Sequence, residues 1–263
     1  MDLDLKGKAV LVSGGNRGIG LAIALAFAEE GANVAVCGRD KAALAEAEAK
    51  IRAKNVQAKA VAVDLFTAAG CSGAVQAAVD VFGGLDVLVN NASTAVSGNI
   101  ETLDDEGLME RLKGKTLAYM RCCRAALPHL RKSSRGRVIC IGGTAARHAG
   151  ATALPSALGN SALIAFVKQF STTVAAEGIT ANIVHPPFTK TDRYPARRAA
   201  RAKQLGVSEE EAEASFASQF PIGRIVEPSD IAPMVLFLAS PHASAITGQS
   251  IAIDGGSTPG TYY

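Results

Sequence analysis

The 263-residue chain contains no tryptophan, and its aromatic residues make up only 5% of the sequence. Its formal net charge is +3. It therefore lacks both the basic surface and the stacking aromatics of a nucleic-acid-binding protein. Cysteine is sparse and unpatterned. Cys37, Cys71, Cys122, Cys123 and Cys140 are odd in number and never spaced C-x-x-C. Free thiols in a reducing cytoplasm suit them better than disulfides or zinc, and no His/Cys/Asp/Glu cluster has metal-ligand spacing. Residues 1–8 alternate charge with leucine and carry no apolar signal core. The longest uncharged stretch, 151–167, includes Pro155, Gly159 and Asn160 and reads as a buried helix, not a membrane span. No repeat, low-complexity tract or Pro/Gly/Ser-rich linker divides the chain, so residues 1–263 are expected to form one domain.

What is present is a regular alternation. At 48% hydrophobic and 19% charged, the chain can bury a sizeable core. Apolar runs predict strands over 9–12, 33–37, 58–63, 85–90, 137–141, 180–184 and 250–253. Segments of helical period lie between them, over 19–30, 41–54, 72–82, 104–131, 152–176 and 229–239. Continuous apolar strands joined by crossover helices specify a parallel sheet covered on both faces. The expected fold is α/β, a Rossmann-like, doubly wound, seven-stranded sheet with ligands at the C-terminal strand ends. One long departure, residues 187–222, is basic and then acidic, and its length suggests a lid over a substrate.

The first strand runs directly into Ser13-Gly-Gly-Asn-Arg-Gly-Ile-Gly20, and a helix follows. Strand, glycine turn and helix N-terminus together create an anion site. Free backbone N–H groups and the positive end of the helix dipole face the ligand, and glycines allow close approach. The spacing, G-x-x-x-G-x-G, is one residue wider in its first gap than the common dinucleotide fingerprint.

A series of ordered motifs makes the chain resemble a short-chain dehydrogenase/reductase from Leu5 to Gly256. The glycine loop resembles T-G-x-x-x-G-I-G, with Ser13 for Thr. Asn90-Asn91-Ala92 resembles N-N-A-G, with Ser93 for the Gly. Asn182 to Asp192 resembles N-x-V-x-P-G-x-x-x-T-D, with Pro187 for the Gly. Pro221-Ile-Gly-Arg224, Phe237-Leu-Ala-Ser240, Ile246-Thr-Gly-Gln249 and Asp254-Gly-Gly256 follow the family's C-terminal pattern. The resemblance implies a nicotinamide dinucleotide site. Gly14, Asn16, Arg17, Gly18, Ile19 and Gly20 would surround the pyrophosphate. Asp64 and Leu65 would meet the adenine, Asn90 and Ala92 would form the floor, and Pro186 and Thr191 would reach the nicotinamide. The second strand ends with Gly38 where an NAD site would carry an acid, and Arg39 follows. Arg39 and Arg17 suit a 2′-phosphate, so NADP(H) is favoured over NAD.

The family's catalytic set is Asn, Ser, Tyr and Lys. The Tyr, with an ordinary pKa of about 10, is made acidic by the Lys cation and moves the proton. Motif alignment places Arg111 at the Asn, Gly143 at the Ser, Ser156 at the Tyr and Asn160 at the Lys. None of these can perform the usual role, so no residue is assigned as catalytic with the usual chemistry. Thr144 and His148 are possible substitutes, although a turn hydroxyl and a surface loop histidine are the plainer readings. Lys113, Lys115 and Tyr119 follow Arg111 on one helix, so only some of them can face a cleft. Arg111 itself suits an anionic group, and His185, before two prolines, reads as structural.

Lys190, Arg193, Arg197, Arg198, Arg201 and Lys203 precede Glu209, Glu210, Glu211 and Glu213. The basic half suits an anionic small-molecule substrate, and a solvated pair of amphipathic helices is the plainer reading. Three functions stay open. The first is an NADP-dependent oxidoreductase with a rearranged proton donor. The second is a non-catalytic cofactor-binding protein or inactive subunit beside an active relative, and the third is non-redox chemistry in the same pocket. The resemblance also implies a homo-oligomer, tetramer or dimer, built through the fourth and fifth helices.

Overall fold

The computed structural model describes residues 1–259 except Ala95 and Ala149. Seven strands form one parallel sheet: β1 (Ala9–Ser13), β2 (Asn33–Gly38), β3 (Ala58–Ala62), β4 (Val87–Asn90), β5 (Arg137–Ile141), β6 (Thr180–His185) and β7 (Ser250–Ala252). Their order is β3-β2-β1-β4-β5-β6-β7. The chain direction across the sheet reverses between β1 and β4, and that switch point opens a crevice at the strand ends.

The period of two along each strand divides the core into two layers. Val10, Val12, Val34, Val36, Val87, Val89, Ile139 and Ile141 face one layer. Helices α1 (Gly18–Glu29), α2 (Lys41–Arg52) and α9 (Pro228–Ala239) cover it. Leu11, Ala35, Cys37, Leu88, Val138 and Cys140 face the other. It is covered by α3 (Ala68–Phe82), α5 (Ala118–Leu130) and α6 (Leu154–Val174). All five cysteines are free and buried and lie in this second layer.

The expected strands and helices are present, with informative differences. The third helix begins four residues earlier than its periodicity indicates, because Thr67 accepts from Gly70 N at 2.9 Å and caps it despite the glycine. The segment 104–131 is not one uniform α-helix. It comprises α4 (Asp105–Leu112), a π-helical turn (Lys113–Leu117) and α5. Gly114 sits inside that turn, where a Cβ would lie 2.6 Å from the Thr94 side chain and 2.8 Å from the Phe66 ring. A widened turn of this kind re-aims the side chains around it.

Residues 187–222 contain two helices, α7 (Tyr194–Leu205) and α8 (Glu209–Ala217). Their opposite charges join them. Lys190 pairs with Glu213 at 2.8 Å, and Arg198 pairs with Glu209 at 2.6 Å and Glu213 at 3.0 Å. Two cations of the predicted basic run, Lys190 and Arg198, are thus paired within the segment. Among the described residues, no helix is long and apolar enough to cross a membrane.

Candidate active site

Ser13 ends β1 and organises the switch point. Its hydroxyl accepts from the backbone N–H groups of Asn91 and Ala92 at 2.9 and 3.1 Å. The Asn91 amide donates back to the carbonyls of Ser13 and Gly14, both at 3.1 Å. The glycine loop is therefore strapped to the end of β4. Gly14 has φ +64°, and a Cβ on it would fall 2.9 Å from Ala92 Cα. At Gly20 a Cβ would lie 2.2 Å from the Gly14 carbonyl oxygen. These positions need glycine for steric reasons in this chain.

Helix α1 begins there without a side-chain cap and without an acid in its first turn. Its first N–H groups thus keep their capacity for an anion. They open into a cavity of about 870 Å³. Gly14, Asn16, Arg17, Gly18, Ile19, Arg39, Asp64, Leu65 and Ala92 line one end of it, and Pro186 and Thr191 line its roof. Two expected residues do not line it. Gly20 lies behind the loop, and Asn90 is fully buried below it, donating toward Cys123 Sγ at 3.4 Å. Both support the site from beneath.

The end beside β2 carries Gly38, where a Cβ would meet Asn16 Oδ1 at 3.1 Å. Asn16 thus occupies the space that an acidic side chain at position 38 would need. Arg39 lies over the Phe66 ring, 5.7 Å from its centroid, and Phe66 itself lines the cavity. A phosphorylated dinucleotide fits this donor set: uncapped helix amides for the pyrophosphate and guanidinium groups for a further phosphate.

The far end contains Arg111, Lys115, Gly143, Thr144, Ser156 and Asn160. Arg111 is 6% exposed, and its Nη1 donates to Ser93 Oγ at 2.7 Å and to the Thr94 carbonyl. Burial lowers its pKa from the usual value. Lys115 is 3% exposed and donates to the Gly142 carbonyl at 2.9 Å. Burial, and then Arg111, push its pKa down to about 7. Asn160 is 2% exposed, with Oδ1 unpartnered. Its amide fills the place beside Gly143, where a Cβ would approach Nδ2 to 2.9 Å.

Of the two possible substitutes, Thr144 lines the cavity and begins a short 3-10 turn, its N–H donating to Pro186 O at 3.1 Å. His148 is exposed and is not part of the cavity wall. His185 is fully buried. Its Nδ1 lies 3.0 Å from Gly143 O and its Nε2 2.7 Å from Ser250 Oγ, which fixes the loop after β5. Burial pushes its pKa down to about 4, so it is neutral. Tyr119 is buried and donates to Ile141 O at 3.1 Å, a packing role.

Phe66, the strapping contacts of Asn91 and the buried placement of Lys115 escape a reading based on motifs. A helical wheel cannot place Lys115, because the π-helical turn changes the angular step. The charged segment is clearer: Arg193, just before α7, and Arg197, within it, reach the cavity, while Lys190 and Arg198 do not. Among the described residues, no group of three or more His, Cys, Asp or Glu is placed to hold a metal ion.

Comparison with known proteins agrees with this architecture. Residues 14–258 match the family model described as Enoyl-(Acyl carrier protein) reductase. The 3-oxoacyl-[acyl-carrier-protein] reductase FabG of Vibrio cholerae is 32% identical over 254 residues, covering 97% of this chain and 98% of that protein. The NADPH-dependent reductase BacG of Bacillus subtilis is 31% identical over 252 residues, covering 95% and 97%. L-sorbose reductase from Gluconobacter frateurii, solved with NADPH and L-sorbose, superposes with a TM-score of 0.95 at 30% identity, covering 99% of this chain and 100% of that one. Its match in fold, together with these sequence matches, shows that the chain belongs to the short-chain dehydrogenase/reductase family.

Proposed function

We propose that this chain binds NADP(H) and is a reductase-family protein in which carbonyl reduction by the usual Ser-Tyr-Lys relay has been lost. The observation that carries the cofactor reading is the Gly38–Arg39 corner. Asn16 fills the acid's place, and Arg39, over Phe66, faces the cavity end with Arg17. NADPH-dependent BacG and the NADPH-bound sorbose reductase support the same reading. Gly14, Gly18 and the amide of Ile19 would hold the pyrophosphate. Asp64 and Leu65 would take the adenine, and Pro186 and Thr191 the nicotinamide end. When bound, the cofactor would supply a hydride.

The proton side differs. Ser156 carries an alcohol without useful acidity near neutral pH, Asn160 carries no cation, and Gly143 carries no hydroxyl. Loss of positioned acid catalysis alone costs about 10²–10⁴ in rate. A rearranged donor in an oxidoreductase is the first reading. A non-catalytic subunit beside an active relative is the second, favoured by the internal contacts that now occupy these positions: Arg111 with Ser93, and Asn160 against Gly143.

Calorimetric titration with NADPH and NADH tests the cofactor reading. Micromolar NADPH binding, weakened roughly 10–100-fold by Arg39→Ala with NADH affinity unchanged, is the expected result. Failure to bind either nucleotide overturns it. Stereospecific hydride transfer to any substrate decides for the enzyme, and an active relative co-purifying with the native protein decides for the subunit.

A further inference from the structure

The far end of the cavity carries two basic side chains and no acid. Arg111 lies in the last turn of α4, and Lys115 lies four residues on, in the π-helical turn. Side chains four apart on a helical rod are neighbours. Here both side chains turn inward and line the same cavity. Their protein partners are all neutral: Ser93 Oγ and Thr94 O for Arg111, and Gly142 O for Lys115. No protein carboxylate pairs with either cation among the described residues. The groups that face Lys115 are Arg111, the Tyr119 ring at 5.7 Å, Cys140 and His185, which adds no negative charge at neutral pH.

Two basic groups buried side by side are costly when both are charged: without an anion Lys115 gives up its proton more readily, and a bound anion would hold both in the charged form. Polar capacity is also left over beside them. Arg111 Nε is buried without a partner, and so is Thr94 Oγ1. Asn160 lines the same cavity.

We propose that Arg111 and Lys115 form a carboxylate-binding site on the cavity floor, and that the small molecule bound there carries a carboxylate. The planar guanidinium suits a two-oxygen anion, and the ammonium neighbours it as a point charge. Ser93 is a positioning residue: its hydroxyl, with the Thr94 carbonyl, holds Nη1 of Arg111 and so fixes the guanidinium at the cavity wall. Arg193 and Arg197 on the cavity wall add to the attraction of an anion. This reading rests on the proposed function, because it treats the cavity beyond the cofactor as the substrate chamber.

The test uses the full chain with isotope-labelled lysine, acetate as the probe and acetamide as its neutral isostere. The Lys115 ammonium signal is identified by its loss in Lys115→Met. Acetate should raise the Lys115 titration midpoint by a unit or more, saturably, and acetamide at equal ionic strength should not. Arg111→Gln should weaken the acetate response at least 10-fold, and Arg111→Lys should restore part of it. A midpoint unmoved by acetate, or moved equally by chloride, overturns the carboxylate site. NADPH titration of the same samples separates the two readings. An acetate response in a protein that binds neither nucleotide supports the carboxylate site and overturns only the cofactor reading. NADPH binding without an acetate response overturns only the carboxylate site.

Discussion

One end of the cavity is built from backbone and the other from side chains. Around α1, the surfaces offered to a ligand are the N–H groups of a glycine loop, held by Ser13 and Asn91. Around the π-helical turn they are the tips of Arg111, Lys115 and Asn160, projected from helices. The first kind of site is difficult to alter. A Cβ at Gly20 runs into the Gly14 carbonyl, and one at Gly14 approaches Ala92, so sequence and geometry are tied together. The second kind changes by substitution on a rigid frame, with no cost to the sheet. That asymmetry is why a fold is a guide to cofactor and a poor guide to chemistry.

The sharpest way to break the comparison is to attack the backbone end. Gly20→Ala should cost about 3 kcal/mol of stability and weaken NADPH binding at least 100-fold, measured by urea unfolding and calorimetry. A variant with normal stability and normal binding would show that the loop yields easily, and the two ends would then not differ in kind.

The side-chain end is expected to respond to pH. Burial beside Arg111 lowers the Lys115 pKa in the folded state to about 7 from its ordinary value of 10.5. Above the folded value the native state has released a proton that the unfolded chain still holds. Stability therefore rises with pH between these values, and the penalty for burying the cation is fully present below about 7. From pH 7 to 9 the gain attributable to this group is about 2 kcal/mol. Urea unfolding of the protein and of Lys115→Met at both values should show the difference between them changing by that amount. Parallel pH dependence in the two proteins would mean that Lys115 is solvated.

How much of this was legible in the sequence follows the same division. The strands, most helices and the glycine loop are visible because alternation and glycine spacing are direct consequences of sheet and turn geometry. Asn90 and Asn91 appear together in one motif, yet only the structure separates them: Asn90 lies against two thiols, and Asn91 straps the loop. His148 sits near the right place in sequence and ends up exposed, because the short turn after Thr144 carries the chain outward. The segment 187–222 announces its charges, but only the structure shows that Lys190 and Arg198 pair with Glu209 and Glu213 while Arg193 and Arg197 line the cavity. Lys115 is the strongest case. Its identity is plain and its burial is not, since its place in the π-helical turn and its bond to the Gly142 carbonyl appear only in the fold.

Positions 143 and 160, proposed above as substituted catalytic positions, are expected to act as a coupled pair. Gly143 and Asn160 fit one another, since any Cβ at 143 approaches Asn160 Nδ2 to 2.9 Å. Restoring only the hydroxyl, by Gly143→Ser, should therefore destabilise the protein by about 1 kcal/mol. The flexible amide at 160 can shift a few tenths of an ångström, so a larger penalty is not expected. Asn160→Ala should remove the conflict, leaving Gly143→Ser nearly neutral in that background. Denaturation of the wild type, both single variants and the double variant measures the coupling directly. Additive effects would mean that the two positions changed independently. A coupling near 1 kcal/mol would mean that the far end of the cavity was rebuilt around its present residues, with Asn160 occupying the space that a serine side chain would need.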